Sequence, residues 1–202
     1  MLPSTKVLVF DTETTGLPKN RPVEHPEQPW VIQLGAVFFD LASDRFEHTI
    51  NTLVIPPDNA EIDREKFAGA ERVHGISLDM IYANGRSSQS VYRELRDLAS
   101  EADIIAAYNL DFDEKLIKFS SYRTHPSFIL NPVLRTPTEV SHHCIMNQTK
   151  DYYKSPKWLK LNDVYQRITG DQIVDAHDAL ADAVAAAVVF KEITLKMMAE
   201  AS

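Results

Sequence analysis

Lys6-Val7-Leu8-Val9-Phe10-Asp11-Thr12-Glu13-Thr14-Thr15-Gly16 is the stretch on which the fold turns. Its opening run is apolar and rich in β-branched residues, the pattern of a buried central strand. Acidic residues follow it directly. Along a strand, residues i and i+2 share a face, so Asp11 and Glu13 point together while Thr12 points away. Two carboxylates aimed at one spot repel unless a cation lies between them, and oxygen donors of this kind suit Mg²⁺. Gly16 lets the backbone turn closely around a ligand, and the hydroxyls of Thr14 and Thr15 can donate to one. Taken alone, Asp-x-Glu is commonplace and reads first as a solvated strand end before a turn.

Downstream, Pro18, Pro22, Pro26 and Pro29 mark an irregular segment, because each ring removes a backbone donor and restricts the residue before it. Val31 to Phe39 and Phe46 to Val54 read as two further strands joined as a hairpin through Asp40-Leu41-Ala42-Ser43-Asp44. Short helices are expected over Asp63 to Ala70 and Ser77 to Ala83, around the loop Val73-His74-Gly75-Ile76. From Ser90, Val91, Leu95, Leu98 and Ala102 recur at helical spacing, and Ile104 to Tyr108 reads as another buried strand. A helix over Asp113 to Phe119 follows it. Thr124 to Leu159 reads as a long loop with one helical insert. Leu161, Val164, Tyr165 and Ile168 then fit a helix stopped by Gly170, and Ala179 to Met198 a long final helix. The sum is an α/β chain with a mixed sheet covered by helices.

Two more acidic clusters stand at element ends. Tyr108-Asn109-Leu110-Asp111-Phe112-Asp113 lies where the fourth strand gives way to a helix; alone it reads as helix capping. His177-Asp178-Ala179-Leu180-Ala181-Asp182-Ala183 opens the final helix, whose small residues allow close approach to a sheet. There the helix dipole would disfavour the imidazolium of His177 and help keep the ring neutral. Alone, this too reads as a capped surface helix. Each signal is weak, but an α/β sheet would bring all three together.

At 202 residues, with 44% hydrophobic and 25% charged residues, one globular domain over 1–202 is expected. A net charge of −8 argues against general phosphate binding, so any nucleic acid must be gripped locally. One candidate grip is Lys150-Asp151-Tyr152-Tyr153-Lys154 with Lys157, Trp158 and Lys160, where cations and aromatics alternate, though the segment reads first as a solvated loop around one anchored Trp. His142-His143-Cys144 lacks a partner pair at zinc spacing and is discounted as a zinc site. No apolar run is long enough to span a membrane, the N-terminus lacks a signal core, and the lone Cys144 allows no internal disulfide; a cytoplasmic protein is expected.

Phe10-Asp11-Thr12-Glu13-Thr14-Thr15-Gly16-Leu17, Tyr108-Asn109-x-x-Phe112-Asp113 and His177-x-Ala179-Leu180-x-Asp182-Ala183 resemble, in order, the three exonuclease motifs of the DEDDh (DnaQ-like) superfamily. Val31 to Val37 and Arg72 to Ile76 are similar to that family's second strand and a loop that follows it. The resemblance runs from about Val7 to Phe190. It implies a ribonuclease H-like, mixed five-stranded sheet and a 3′→5′ exonuclease that releases nucleoside monophosphates with two divalent cations, Mg²⁺ or Mn²⁺. Asp11, Glu13, Asp113 and Asp182 would hold the metals, and His177 would be the general base. Thr14, Thr15, Leu17, His74, Asn109 and Phe112 would border the terminal nucleotide. The expected partner is nucleic acid with a free, single-stranded 3′ end, DNA foremost, in proofreading or repair. A polymerase or a second copy of the chain is a further expected partner. RNA trimming, and a nucleic-acid or polymerase-binding module without activity, are the alternatives. Tyr108 stands where many members have His, Gln33 where many have Glu, and Cys144 to Lys157 fits no pattern of the family.

Overall fold

The computed structural model describes residues 4–43, 45–130, 132–134 and 140–201. Asp44 of the expected hairpin connection, and positions 131 and 135–139 of the expected long loop, lie outside the described residues. In chain order the elements begin with the strands β1 (Lys6–Thr14), β2 (Val31–Asp40) and β3 (Phe46–Ile55). Next come α1 (Arg64–His74), α2 (Leu78–Asn84), β4 (Arg86–Ser87), α3 (Ser88–Glu101) and β5 (Ile104–Ala107). The chain then forms α4 (Leu110–Thr124), α5 (Ser127–Leu130), β6 (Ser141–Cys144), α6 (Ile145–Tyr152), α7 (Leu161–Thr169) and α8 (Ala179–Glu200).

The strands align in the order β4-β3-β2-β1-β5-β6. β1, β2 and β3 form an antiparallel meander, while β5 runs parallel to β1 and β6 parallel to β5. The sheet therefore has six strands, one more than expected. Ser141–Cys144 supplies the edge strand from within the stretch read as a loop, because its four residues are too short and too polar to show an alternating pattern.

β1 sits inside the sheet with both faces covered, which explains its unbroken apolar run. Leu8 and Phe10 pack with Leu95, Leu116 and Ile117 of α3 and α4. Val7 and Val9 face Ala186, Val189 and Phe190 of α8 on the other side. β1 also runs four residues past Phe10, so Asp11 and Glu13 belong to the paired strand and stand opposite Gly35 and Gln33 of β2. α8 crosses β1 and β2 closely because its buried face is made of Ala179, Ala183, Ala186 and Ala187, and because β2 offers Gly35 beneath it. A Cβ at position 35 would collide with the Ala179–Leu180 peptide.

α1 extends beyond its expected end and includes Val73 and His74; Gly75, at φ 72°, caps it in the left-handed conformation. α4 starts three residues early, at Leu110, which puts Asp113 inside its first turn.

Candidate active site

The three acidic clusters meet where β1 ends and α4 and α8 begin. Asp11 and Glu13 project toward α8, and Asp182 comes down from the first turn of that helix. Donor atoms of Glu13, His177 and Asp182 lie within 4.8 Å of one another. Asp113 arrives from the opposite face of β1. Its side chain is 3% exposed, and Oδ1 accepts from the Thr12 N–H at 3.1 Å and the Thr12 hydroxyl at 2.8 Å. The residue that points away from the Asp11–Glu13 pair thus anchors the third carboxylate. Asp111, its neighbour on α4, is exposed to solvent.

The final helix starts at Ala179 as expected, and His177 of the third cluster stands just ahead of it. α8 begins at Ala179 with Asp178 as N-cap, accepting from the N–H groups of Leu180 and Ala181. His177 precedes the cap in the left-handed region, at φ 72°, exposed, and its N–H donates to Asp182 Oδ2 at 3.2 Å. A buried polar contact fixes this turn: Gln33 Nε2 donates to Asp178 Oδ2 at 2.6 Å, and Gln33 Oε1 accepts from the Ala179 N–H at 3.2 Å. Gln33 and Thr12 are supporting residues that sequence reasoning missed. Gln33 gave a signal only as an amide on the buried strand β2, at a position where the related pattern has an acid.

Crowding of carboxylates has an electrostatic cost that the structure makes visible. Burial, and then the charges of Asp113 and Asp182, push the Asp11 carboxyl well above its ordinary value. Burial and Asp182 raise Glu13 to about 8. Asp113 rises to about 7, with burial outweighing the Thr12 hydrogen bonds that favour its charged form. Burial also raises Asp182, against the His177 N–H. The strongest charges acting on Asp11, Glu13 and Asp113 are other carboxylates, with no lysine or arginine among them. An all-oxygen donor set with uncompensated negative charge fits hard divalent cations, and Asp11, Glu13, Asp113 and Asp182 are the side chains that could hold them.

Beside Glu13 opens a cleft of about 1150 Å³, walled by residues 12–19, residues 26–29, α1 and Phe112. Of the residues expected at the substrate end, Thr14, Thr15, Leu17, His74 and Phe112 line it. Leu17 is 76% exposed at its mouth. Phe112 is half-buried, packing against the core while reaching the cleft. The threonine hydroxyls are occupied in shaping the turn: Thr14 donates to the Gly16 carbonyl, and Thr15 accepts from the Trp30 N–H. Burial holds His74 below its ordinary pKa, and its Nδ1 accepts from the Ile76 N–H. Asn109 stands exposed at the N-cap of α4, outside the residues that line the cleft. His143 of the discounted zinc triplet, half-buried, meets the core residue Phe190 edge to face, with ring centroids 5.1 Å apart.

Fold and site together define an RNase H-like nuclease of the DEDDh type. The family model described as Exonuclease (RNase_T) matches residues 8–190, and the chain belongs to that family. Membership implies divalent metal ions. A comparison with curated proteins gave no match. Among solved structures, Escherichia coli Exonuclease I in complex with a dT13 oligonucleotide superposes with a TM-score of 0.67 at 18% identity, covering 94% of this chain and 41% of that one. The chain thus spans well under half the length of that relative. The nuclease domain of 3′hExo, a DEDDh family member bound to rAMP, gives a TM-score of 0.68 at 16% identity, covering 96% and 93%. A 3′-exonuclease recognising the histone mRNA stem-loop gives 0.69 at 16%, covering 97% and 84%. Among the described residues, no helix is long and apolar enough to cross a membrane.

Proposed function

We propose that residues 1–202 act as one 3′→5′ exonuclease domain that removes nucleoside 5′-monophosphates from a nucleic-acid 3′ end. The convergence of Glu13, Asp182 and His177 within 4.8 Å, with Asp11 on the same strand face and Asp113 beneath it, carries this reading. Mg²⁺ or Mn²⁺ held by Asp11, Glu13, Asp113 and Asp182 would supply charge neutralisation and Lewis acidity at the scissile phosphate. His177, exposed and next to two of those carboxylates, takes the proton from the attacking water. Water oxygen bonds to phosphorus, the bond from phosphorus to the 3′ oxygen of the preceding nucleotide breaks, and that oxygen takes a proton from solvent water to leave as a new 3′ hydroxyl, while His177 returns its proton to solvent. The cleft holds the departing nucleotide, with Leu17 and Phe112 against its base or sugar, Thr14, Thr15 and His74 around it, and Asn109 outside the cleft at the start of α4. A single-stranded end is the form put first, a related fold being seen with a dT13 oligonucleotide.

DNA is the substrate put first, in proofreading or repair, with a polymerase or a second copy of the chain as partner. RNA trimming is the second reading, because related folds are seen with rAMP and with histone mRNA, and one fold hosts many functions. Digestion of 5′-labelled and 3′-labelled DNA and RNA strands of one sequence, with Mg²⁺, Mn²⁺ or chelator, tests all of this. Immediate release of a 3′ label as mononucleotide supports the proposal. Release from the 5′ end, or cleavage that survives chelation, ends it.

A further inference from the structure

We infer that the segment of residues 150–160 is the docking surface for the strand that leads into the site, the part lying 5′ of the scissile phosphate. This rests on the exonuclease reading above. The cleft takes the terminal nucleotide but is poorly equipped for a phosphate backbone: its two lysines, Lys19 and Lys66, are already paired with Glu27 and Asp63. A nucleotide seated there leaves the rest of the strand on the far side of the carboxylates. The cleft wall, α1 and the preceding loop, lies on the β2–β3 side of β1, where Phe67 packs on Ile32. The far side is that of β5 and β6.

Residues 150–160 stand on that side. The Tyr108 hydroxyl, just past β5, donates to the Leu159 carbonyl at 2.7 Å, which ties the segment to the strand end that leads into Asn109 and α4. Four lysines and one aspartate fall within these eleven residues, in a chain whose net charge is −8. Among the described residues, Lys150, Lys154, Lys157 and Lys160 make no ion pair, whereas Lys6, Lys19, Lys66 and Arg86 do. Trp158 is 61% exposed yet held in place, its Nε1–H donating to Asn147 Oδ1 at 3.2 Å and Lys150 Nζ standing 5.7 Å from its ring. Unpaired cations beside a fixed, exposed indole form a surface for phosphates and a stacked base, whichever the sugar. The occupant is a single strand of nucleic acid, because the substrate strand of the adjoining site runs out on this side and offers phosphates to the lysines and base faces to the indole.

Fluorescence anisotropy with a labelled single-stranded 12-mer and a dinucleotide, in chelator, reads this surface without hydrolysis. The expected result for Trp158→Ala is about ten-fold weaker 12-mer binding. For Lys154→Ala/Lys157→Ala/Lys160→Ala, the dependence of log affinity on log salt should flatten by about 2, three phosphates at roughly 0.7 each. The dinucleotide should bind all variants alike. A control triple, Lys115→Ala/Lys118→Ala/Lys196→Ala, removes equal charge elsewhere and should leave the slope in place. Equal 12-mer binding by wild type and both variants, or an equal loss in the control, overturns the inference. Hydrolysis of thymidine 5′-(p-nitrophenyl phosphate) by the wild type with Mn²⁺ is measured alongside. Its failure would count against the exonuclease reading, while anisotropy still decides the fate of the surface.

Discussion

The carboxylate centre and the basic segment are charged regions built in opposite ways. The first is assembled from β1, α4 and α8, elements far apart in the chain, and its carboxylates are buried or half-buried. The second is one contiguous stretch, exposed at Lys154, Lys157, Trp158 and Lys160 and half-buried at Tyr152, Tyr153 and Leu159. Burial magnifies every interaction among the carboxylates, whereas water and salt screen the lysines. The centre should therefore be costly to the fold and decisive for chemistry, and the segment inexpensive and adjustable.

Several substitutions and conditions would break or sharpen that contrast. Asp11→Asn or Asp182→Asn should lower kcat about 10³-fold or more, read as nucleotide release, since each removes charge that the reaction uses. His177→Ala should cost about 10²–10⁴-fold in kcat while leaving oligonucleotide binding in chelator in place; wild-type turnover by the variant would remove it as the base. Gly35→Ala should destabilise by roughly 1–3 kcal/mol in denaturant and cost activity even well below its melting temperature, because the colliding peptide opens α8.

The pH dependence follows from the raised carboxyls. Glu13 moves from 4.5 to about 8 and Asp113 from 3.8 to about 7, so between those limits the folded state holds protons that the unfolded chain has released. Stability of the chelated protein should then fall as pH rises from about 4 to 8, and Mg²⁺ should raise the melting temperature more at pH 8 than at pH 5. Asp11→Asn in chelator at pH 8 should melt above wild type, as removal of one buried charge relieves the others. A wild-type melting temperature that climbs with pH in chelator would contradict the crowding. The smallest effect is on the segment's side: salt from 50 to 500 mM should slow oligonucleotide turnover several-fold and barely touch the p-nitrophenyl ester.

The same contrast explains what could be read in advance. β1, β2 and β5 show as short apolar runs because both their faces are covered, and the long last helix shows by its length and its buried small and apolar residues. The four acids and His177 were identifiable because family motifs mark them, and Asp113 over Asp111 followed from the aromatic before it. β6 could not be seen, since its four polar residues become a strand only when β5 is there to pair with. Nor could the turn at His177: its left-handed backbone depends on Gln33 and Asp178, 145 positions apart, and no local pattern joins them. The Thr12–Asp113 contact was hidden likewise, because alternation tells which way Thr12 faces but not what waits there.

The missing methyl group at Gly35 has an evolutionary corollary. Position 35 touches no substrate and offers no reactive atom, yet it sets how deeply the last helix can sink and hence where Asp182 stands relative to Glu13. In a saturation library selected for nuclease function, that site should look as intolerant as a reacting group. Inherited variation would be trapped there by geometry alone.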